Sequence, residues 1–437
     1  MPEWKKPRIE IGILGLGVVG SGTVDLLQRQ RAEIERKIGI PFHIKRIAVR
    51  NIDKVRAVKV DRSLLTNNAY DVLNDPDIDI LCELIGGVEP AKEYVLHALN
   101  QGMQVVTANK EMIAKEGNDL MTLARQKSLD FQFEGSVAGG IPIIQPMKNA
   151  LGGNRIDEVM GIINGTTNYI LTRMSQEHAD FGDTLREAQT RGYAEEDPTN
   201  DIEGYDAQYK IAILSSIAFT SRINVNDVHV EGITHITKAD ITYAEELGYT
   251  VKLVGIGRRM ADGRLQVRVH PTLLPKTHPL ASTNNVYNAI LIKGDSVGDV
   301  MFYGRGAGSG PTGSAVVGDI MDVCRNLTHG STGRIHCTCY DDSAVMPMDE
   351  VETRHYLRMT VQDKPGALAS IAYALGACDI SIEVVVQKAA QDGHAEIVWI
   401  THEAPNSKVR EAKETIVHLP EVISFDNWLR VEGLYRE

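Results

Sequence analysis

The chain has 437 residues, which is enough for about two to four domains with cores of ordinary size. Hydrophobic residues make up 43% of it and charged residues 24%, which excludes a disordered, collagen-like or coiled-coil architecture. The net charge of −12 and the aromatic content of 5% disfavour nucleic-acid binding, because a basic surface and stacking side chains are both scarce.

Cysteine usage and hydropathy predict a cytoplasmic protein. Five cysteines at scattered positions argue against a disulfide framework and for a reducing compartment. Cys337 and Cys339 lack the spacing and the second pair of a zinc site, so we expect ordinary thiols. The apolar stretch 9–19 is interrupted by Glu10 and precedes no cleavage site, which argues against a signal peptide. No segment reaches the ~18 apolar residues of a membrane span.

The first third of the chain alternates strand and helix patterns. Apolar runs predict strands at 9–14, 42–49, 78–85 and 104–107. Helical spacing of apolar residues predicts helices over 24–38 and 91–100. Strands that alternate with helices favour a parallel, doubly wound sheet. We therefore predict an α/β fold whose first domain, residues 1–146, is a Rossmann-type NAD(P)-binding domain.

A glycine-rich loop follows the first predicted strand. It has the pattern G-x-G-x-x-G and consists of Gly15, Leu16, Gly17, Val18, Val19 and Gly20. These glycines allow a tight turn and a close approach of the backbone to a pyrophosphate at the helix N-terminus. The second strand ends at Arg50 without a carboxylate to select the ribose hydroxyl, which favours NADP(H) over NAD(H). A solvated arginine at a strand end is the alternative.

Two further segments carry candidate ligand-binding groups. Thr107 and Lys110 follow the strand at 104–107, and open α/β sheets bind ligands at the carboxyl ends of their strands. A surface lysine at a helix start is the ordinary alternative. Glu134 precedes a glycine-rich, irregular segment, which could supply oxygen ligands to a hard cation. A simple turn is the alternative there.

The pattern changes after about residue 147. The sequence predicts helices at 167–176 and 204–221 among strands at 155–163, 228–236, 249–258, 265–274 and 286–293. We interpret residues 147–300 as an α+β domain with a mostly antiparallel sheet. Residues 301–340 return to a glycine-rich loop and helix that would complete the nucleotide domain. A third unit with alternating strands and helices spans 353–433.

The densest polar cluster lies between Gly192 and Lys210. Asp206 and Lys210 are four residues apart and share one face of a predicted helix with Ile213. Burying a lysine and an aspartate on an apolar face is unfavourable unless function requires the pair. The sequence therefore predicts a buried, functional ion pair, with Ser215 on the opposite side of the helix.

These segments resemble the homoserine dehydrogenase family, in family order over nearly the whole chain. The resemblance rests on residues 15–20, 107–110, 133–144, 161–169, 192–210 and 303–319. Residues 363–368, in a strand–loop–helix setting, resemble an ACT domain, a ferredoxin-like amino-acid sensor. No kinase-length segment precedes the nucleotide loop, so we expect the monofunctional form rather than a fusion with aspartate kinase.

The resemblance implies the reversible, NAD(P)H-dependent reduction of L-aspartate 4-semialdehyde to L-homoserine. This reaction serves threonine, methionine and isoleucine biosynthesis. By family match, Lys210 is the catalytic lysine and Lys110 is a second lysine near the cofactor and the substrate. Glu195 and Asp206 match substrate-binding positions, and 147–300 becomes the substrate-binding, catalytic and dimerisation domain.

The family match also implies further ligands and an assembly. Gly192 and Gly308 match cofactor contacts. A sodium site is implied at the Glu134 carboxylate and at three backbone carbonyls, those of Val137, Gly139 and Ile141. The resemblance implies a homodimer or homotetramer, with L-threonine as the effector of the C-terminal unit and no nucleic-acid or membrane partner. A purely structural dimerisation module is the alternative for that unit.

Two other classes compete for the whole chain. Another amino-acid oxidoreductase on a Rossmann domain would not need Asp206 and Lys210 together with Glu195. A non-catalytic sensor would have no reason to keep both lysines and the nucleotide loop. We therefore expect homoserine dehydrogenase activity.

Overall fold

Residues 4–388 and 393–433 are described by the computed structural model, which divides into two units. The first comprises the described residues within Met1–Val159, Ala212–Val225 and Leu291–Ser343. The second comprises those within Met160–Ile211, Asn226–Ile290 and Ala344–Glu437. Each unit thus joins segments that lie far apart in the sequence. The predicted domain boundaries stay predictions.

The regular elements are numbered in chain order. The α-helices are α1 (Val18–Arg29), α2 (Arg31–Ile38), α3 (Tyr70–Leu73), α4 (Ala91–Gln101), α5 (Lys110–Gln126), α6 (Ile144–Lys148), α7 (Gly165–Glu177), α8 (Phe181–Thr190), α9 (Thr199–Ile202), α10 (Tyr205–Ala218), α11 (Lys238–Glu246), α12 (Ser309–His329), α13 (Ala367–Ala377) and α14 (Asn406–Ile416). The strands are β1 (Ile9–Leu14), β2 (Phe42–Ala48), β3 (Leu65–Thr66), β4 (Ile80–Glu83), β5 (Gln104–Thr107), β6 (Phe131–Gln132), β7 (Ile156–Ile162), β8 (His229–Val230), β9 (Tyr249–Arg259), β10 (Leu265–Pro275), β11 (Tyr287–Gly294), β12 (Gly298–Arg305), β13 (Glu352–Gln362), β14 (Ile382–Gln387), β15 (His394–Thr401), β16 (Ala404–Pro405) and β17 (Val422–Val431). Short 3-10 helices occupy Arg62–Leu64, Glu134–Ser136, Val225–Asp227, Pro279–Ser282 and Met348–Glu350.

Six parallel strands form the sheet of the first unit. Their order is β3-β2-β1-β4-β5-β6, the order of a doubly wound, dinucleotide-binding sheet. The predicted parallel sheet is therefore confirmed. Strands β3 and β6 have two residues each and are too short for a periodic pattern to predict. The carboxyl ends of these strands meet at one edge of the sheet, where ligands of such folds bind.

Helix α12 packs into the core of this unit against α1. A Cβ atom at Gly22 would lie 2.0 Å from the Ser309 carbonyl oxygen, and one at Gly313 would lie 2.7 Å from the Gly22 carbonyl carbon. The two helices approach this closely because both positions are glycine. Val316 and Ile320 of α12 then join the side chains of β1 and α1 in one buried cluster.

The second unit contains a mixed sheet. Its strands follow in the order β9-β10-β17-β13-β15-β14, with β8 beside β10 and β16 beside β13. Strand β10 pairs antiparallel with β9 and parallel with β17, and the pairs among β17, β13, β15 and β14 are antiparallel. The predicted strands at 249–258 and 265–274 are confirmed as the β9–β10 hairpin.

Some predicted bounds are wrong. The strand predicted at 228–236 is reduced to His229–Val230, because the chain leaves the sheet at Gly232. A Cβ atom at Gly232 would lie 2.3 Å from the Ile202 carbonyl oxygen, and the Ile233 amide donates to that same oxygen at 2.8 Å. Strand β12 occupies part of the segment expected to be loop and helix. Helix α11 was not predicted, although Thr237 and Asp240 form a capping box at its start.

The C-terminal part of the second unit has the element order β13-α13-β14-β15-β16-α14-β17, in which β16 is a two-residue strand beside β13. With the strand order β17-β13-β15-β14, this is the predicted ferredoxin-like β-α-β-β-α-β arrangement. One face of its sheet forms an apolar core with α13 and α14, which includes Trp399 and Ile371. Arg358 projects from β13 to Asp240 of α11, with a nitrogen–oxygen distance of 2.8 Å, so this part is joined to the rest of its unit by a buried ion pair.

Within the described residues, no helix is long and apolar enough to cross a lipid bilayer.

Candidate active site

The glycine-rich loop connects β1 to α1 with a conformation that requires glycine. Gly15 has a φ of 98°, and a Cβ atom there would lie 2.6 Å from the Leu84 carbonyl oxygen. A Cβ atom at Gly20 would lie 2.3 Å from the Gly15 carbonyl oxygen, whereas one at Gly17 would meet no atom within 4 Å. The first and third glycines therefore permit tight internal packing, and the middle one leaves room for a ligand.

The backbone of this loop presents amide donors. The first hydrogen bond at the start of α1 joins the Ser21 amide to the Gly17 carbonyl at 2.9 Å. The amides of Val18, Val19 and Gly20 have no acceptor among the described residues. Unpaired amides at a helix N-terminus, with the helix dipole behind them, favour an anion such as a pyrophosphate.

Two further residues predicted to bind the cofactor, Arg50 and Gly308, lie outside the glycine-rich loop in the first unit. Arg50 is exposed, two residues beyond β2, and forms no hydrogen bond or ion pair with another described residue. Gly308 precedes α12 with a φ of 121°. It is one residue from Ser309, whose carbonyl approaches Gly22 of α1. Their predicted roles at the cofactor stay predictions.

A buried carboxylate organises the carboxyl ends of β4 and β5. Glu83 is fully buried, and its oxygens accept from the Thr107 hydroxyl at 2.6 Å and from the Ile85 amide at 2.8 Å. The Thr107 hydroxyl oxygen accepts in turn from the Asn109 amide at 3.0 Å. Burial raises the pKa of Glu83. Sequence reasoning missed Glu83, since it lies within an apolar run; its signal is an acidic residue at the last position of a buried strand.

The same network sets the start of α5, where Lys110 is the first residue. The Asn109 side chain accepts from the Met112 amide at 3.1 Å and so caps this helix. Its amide nitrogen donates to the Gly87 carbonyl at 2.6 Å. Lys110 is half-buried. Glu83, Thr107 and Asn109 therefore hold Lys110 at the ligand-binding edge of the sheet.

Glu134 serves first as the cap of α6. Its carboxylate accepts from the amides of Ile143, Ile144 and Gln145 at 2.6, 2.9 and 2.7 Å. The other predicted cation ligands follow it in the chain, and all three lie in buried residues. In residues 4–388 and 393–433, no hydrogen-bond donor reaches the carbonyls of Val137, Gly139 and Ile141.

Lys210 and Asp206 form a buried ion pair on α10, as the sequence predicted. The distance from Lys210 Nζ to Asp206 Oδ2 is 2.7 Å, and the two residues are 7% and 2% exposed. Lys210 Nζ also donates to the Ile163 carbonyl at 2.9 Å. Asn164 donates to Asp206 Oδ2 at 2.8 Å. The ammonium is thus held between a carboxylate and a carbonyl.

Asn164 extends this network to residues that the sequence did not single out. Its amide nitrogen also donates to Asp201 at 2.7 Å, and its oxygen accepts from the Thr167 amide at 2.8 Å, which caps α7. Burial, together with the nearby charge of Asp206, raises the pKa of Asp201. An asparagine before a helical pattern is the signal that could have identified Asn164.

The loop after α8 carries Gly192 and Glu195. Gly192 has a φ of 72° and ends α8, as expected of a C-terminal cap. The Thr166 hydroxyl donates to the Tyr193 carbonyl at 2.7 Å, which fixes the loop to the start of α7. Glu195 is exposed, and its carboxylate has no partner among the described residues. Its charge is therefore available to a ligand.

The predicted polar side of α10 is wrong. Ser215 is fully buried, and its hydroxyl has no hydrogen-bond partner in the described part of the chain. Helix α10 is enclosed nearly all round, so a small polar residue marks close packing here instead of exposure to solvent.

The predicted site residues fall into two sets. The first unit holds Arg50, Thr107, Lys110, Gly308, the residues of the nucleotide loop and the four candidate cation ligands. The second unit holds Gly192, Glu195, Asp206 and Lys210. A dinucleotide-binding sheet in one unit and a buried lysine ion pair in the other are the parts of an NAD(P)-dependent oxidoreductase.

Comparisons with known proteins agree with this class. A family model of homoserine dehydrogenase matches residues 142–321, and a model of the homoserine dehydrogenase NAD binding domain matches residues 15–134. The homoserine dehydrogenase of Synechocystis sp. is 44% identical, over 97% of this chain and 99% of its own length. That of Bacillus subtilis is 40% identical, over 97% and 98%. The chain belongs to the homoserine dehydrogenase family.

Solved structures agree as well. A homoserine dehydrogenase from Thiobacillus denitrificans superimposes with a TM-score of 0.92 at 44% identity, covering 98% of both chains. A hyperthermophilic archaeal homoserine dehydrogenase in complex with NADPH superimposes with a TM-score of 0.61 at 28% identity. It covers 72% of this chain and 97% of its own.

Replacing Thr107 tests the network around Glu83. We expect Thr107→Val to lower the free energy of unfolding by about 1–3 kcal/mol, because it leaves the buried Glu83 oxygen and the Asn109 amide without a partner. Thr107→Ser keeps the hydroxyl and should lower the free energy of unfolding much less. Urea unfolding of both variants measures the difference, and equal losses would show that the hydroxyl is not needed.

Proposed function

We propose that this chain catalyses the reversible reduction of L-aspartate 4-semialdehyde to L-homoserine with NADPH. The observation that carries the proposal is the buried Lys210 ammonium, held by Asp206 and the Ile163 carbonyl in a member of this family. The same reaction serves threonine, methionine and isoleucine biosynthesis, and we include that role in the proposal. A cytoplasmic location is part of it as well, on the grounds of five free cysteines.

Lys210 supplies the electrostatic and acid–base chemistry. A bound nicotinamide cofactor would supply a hydride to the aldehyde carbon, and negative charge would develop on the carbonyl oxygen. The Lys210 ammonium stabilises that charge and donates its proton to the oxygen. In the reverse direction, neutral Lys210 accepts the proton of the alcohol. Lys110, at the start of α5, adds a second positive charge near the cofactor and the substrate.

The carboxylates divide two tasks. The substrate carries its own ammonium group, which two lysines would repel. Asp206 Oδ2 is already engaged by Lys210 and Asn164, so we propose that it holds the catalytic ammonium in place. Glu195 is exposed and has no described partner, so it is the better candidate to bind the substrate ammonium. The match to family substrate-binding positions supports both residues near the substrate.

We assign NADP(H) as the preferred cofactor, with NAD(H) as the alternative. The pyrophosphate would lie against the amides of residues 18–20, and Gly192 and Gly308 would contact the cofactor. Arg50, beyond β2, has no partner among the described residues and suits a 2′-phosphate, and the archaeal relative was solved in complex with NADPH.

A sodium ion is proposed as a second ligand of the first unit. The buried carbonyls of Val137, Gly139 and Ile141 lack donors among the described residues, and buried carbonyls are normally paired. Oxygen ligands of this kind suit a hard cation. The Glu134 carboxylate would complete the set, since its two oxygens can accept more than the three amides that they already bind.

The C-terminal ferredoxin-like part is proposed to be an ACT domain that binds L-threonine and inhibits the enzyme. None of the proposed catalytic residues lies in it. The exposed turn 363–366 precedes α13, where Asp363 offers a carboxylate to the ammonium of an amino acid. Because sheets of this type have edges that pair between subunits, we propose a homodimer or homotetramer, with no nucleic-acid or membrane partner.

Lys210→Ala tests the assignment of the catalytic lysine. We expect kcat to fall at least 100-fold, which is the lower end of the rate enhancement that a general acid usually contributes. The affinity for NADPH should stay nearly unchanged. Assays of NADPH oxidation and fluorescence titrations measure the two quantities. Lys37→Ala, on the exposed surface of α2, is the matched control.

The single variant removes the Lys210 ammonium from beside the buried Asp206 carboxylate, which costs about 3–5 kcal/mol of stability. Circular dichroism therefore has to show that the variant is folded. If it is not, the double variant Lys210→Met/Asp206→Leu removes both charges and repeats the test. A fall in kcat of less than about tenfold would contradict the assignment.

Arg50→Glu tests cofactor selection. We expect the KM for NADPH to rise at least about tenfold, because a carboxylate repels the 2′-phosphate, and the KM for NADH to change little. Arg36→Glu makes the same charge change on an exposed part of α2 and should alter neither value. Equal increases for both cofactors would mean that Arg50 does not contact the 2′-phosphate.

Asp363→Ala tests the effector site. We expect basal activity to be retained and the inhibitory threonine concentration to rise at least about fivefold, the lower end of an allosteric coupling. Glu414→Ala removes the same charge from the exposed face of α14 and serves as the control. Inhibition curves at saturating NADPH make the comparison. Unchanged inhibition in Asp363→Ala would place the effector elsewhere.

A further inference from the structure

Two thiols lie next to each other in the segment after α12. Cys337 and Cys339 are both half-buried, lie two positions apart in the chain, and influence each other's ionisation. Cys339 Sγ also lies 3.3 Å from the Ser216 carbonyl in the last turn of α10. No step of the proposed reaction uses these groups.

Two cations face this pair. Lys148, the last residue of α6, and Arg222 both act on the sulfurs with their positive charge. Lys148 Nζ lies 4.6 Å from the centre of the Phe133 ring. Burial lowers the pKa of Lys148, whereas the two sulfurs and the carboxylates of Glu134 and Asp319 favour its charged form. Positive charge beside a thiol favours the thiolate, which is the nucleophilic form of cysteine.

The thiols of Cys337 and Cys339 differ in how readily they lose a proton. A thiol has one hydrogen, so Cys339 can donate either to the Ser216 carbonyl or to the sulfur of Cys337. When Cys337 is ionised, donation to its thiolate is favoured. Donation from Cys339, with the charges of Lys148 and Arg222, lowers the pKa of Cys337 in spite of burial. The pKa of Cys339 is raised by the same bond.

The remaining cysteines have the opposite character. Cys82 and Cys324 are fully buried, and burial raises the pKa of both thiols. Cys378 is half-buried like the pair, but burial and the nearby Glu411 raise its pKa. It is therefore an internal reference of similar exposure.

We propose that Cys337 and Cys339 form a redox site that a peroxide oxidises to an intramolecular disulfide. The Cys337 thiolate attacks one peroxide oxygen, which forms an S–O bond and breaks the O–O bond. The leaving hydroxide takes a proton and becomes water. Cys339 then attacks the sulfenic sulfur through its sulfur atom and forms the S–S bond. The S–O bond breaks, and the hydroxyl leaves as a second water with the proton of Cys339.

This oxidation would also change a contact with α10. The disulfide has no thiol hydrogen, so the contact from Cys339 to the Ser216 carbonyl is lost. Helix α10 also carries Lys210, six positions before Ser216 in the chain. A thiol is thus the donor at the end of the helix that carries the proposed catalytic lysine.

Alkylation of the full-length protein tests the reactivity of Cys337. The reduced protein is treated with limiting iodoacetamide between pH 5 and 9, and the modified peptides are quantified by mass spectrometry. At pH 6 we expect Cys337 to react at least about tenfold faster than Cys378, and its rate to reach its midpoint at a lower pH than that of Cys378. Lys148→Met should move that midpoint to higher pH. Equal rates for Cys337 and Cys378 would overturn the proposal.

Oxidation with hydrogen peroxide tests the disulfide. We expect the tryptic peptide 335–354, which contains Cys337 and Cys339 and no other cysteine, to lose about 2 Da and regain it with dithiothreitol. In Cys339→Ser the reaction should stop at a sulfenic acid on Cys337 that dimedone traps. In Cys337→Ser neither product should form. Oxidation to sulfinic acid without any loss of 2 Da in the wild type would overturn the proposal.

Discussion

Lys210 keeps a positive charge inside the protein because Asp206 lies one helical turn away, with 2.7 Å between nitrogen and oxygen. An isolated ammonium at this depth would be strongly disfavoured, and a buried pair is stabilised only when further hydrogen bonds satisfy its remaining groups. Ile163 and Asn164 provide those bonds at 2.9 and 2.8 Å. The pair therefore ties α10 to the segment that enters α7.

Hydrogen bonds connect this pair to neighbouring segments of the second unit. Asn164 caps α7 and also reaches Asp201, while Thr166 holds the loop that carries Gly192 and Glu195. In the first unit, Glu83 and Thr107 act in a comparable way on the start of α5. In both units a buried polar network, satisfied by short hydrogen bonds, positions one lysine.

Much of this could be predicted from the sequence, because several signals are local. The glycine loop, the strands of the first sheet and the spacing of Asp206 and Lys210 all depend on residues close together in the chain. What could not be predicted depends on contacts between distant segments. The packing of α12 on α1 needs Gly22 and Gly313 together, and the turn at Gly232 is set by the approach of Ile202. Glu83 was hidden because one carboxylate does not disturb an apolar pattern.

The most direct test of this account is steady-state kinetics of Asp206→Asn with L-aspartate 4-semialdehyde and NADPH. If Asp206 acts through Lys210, kcat should fall at least about tenfold while the KM for the substrate changes little, because the interaction lost is one that supports the transition state. Asp206→Glu, which keeps the charge, should recover part of the rate. A large increase in KM with an unchanged kcat would contradict the account, since it would mean that Asp206 binds the substrate directly.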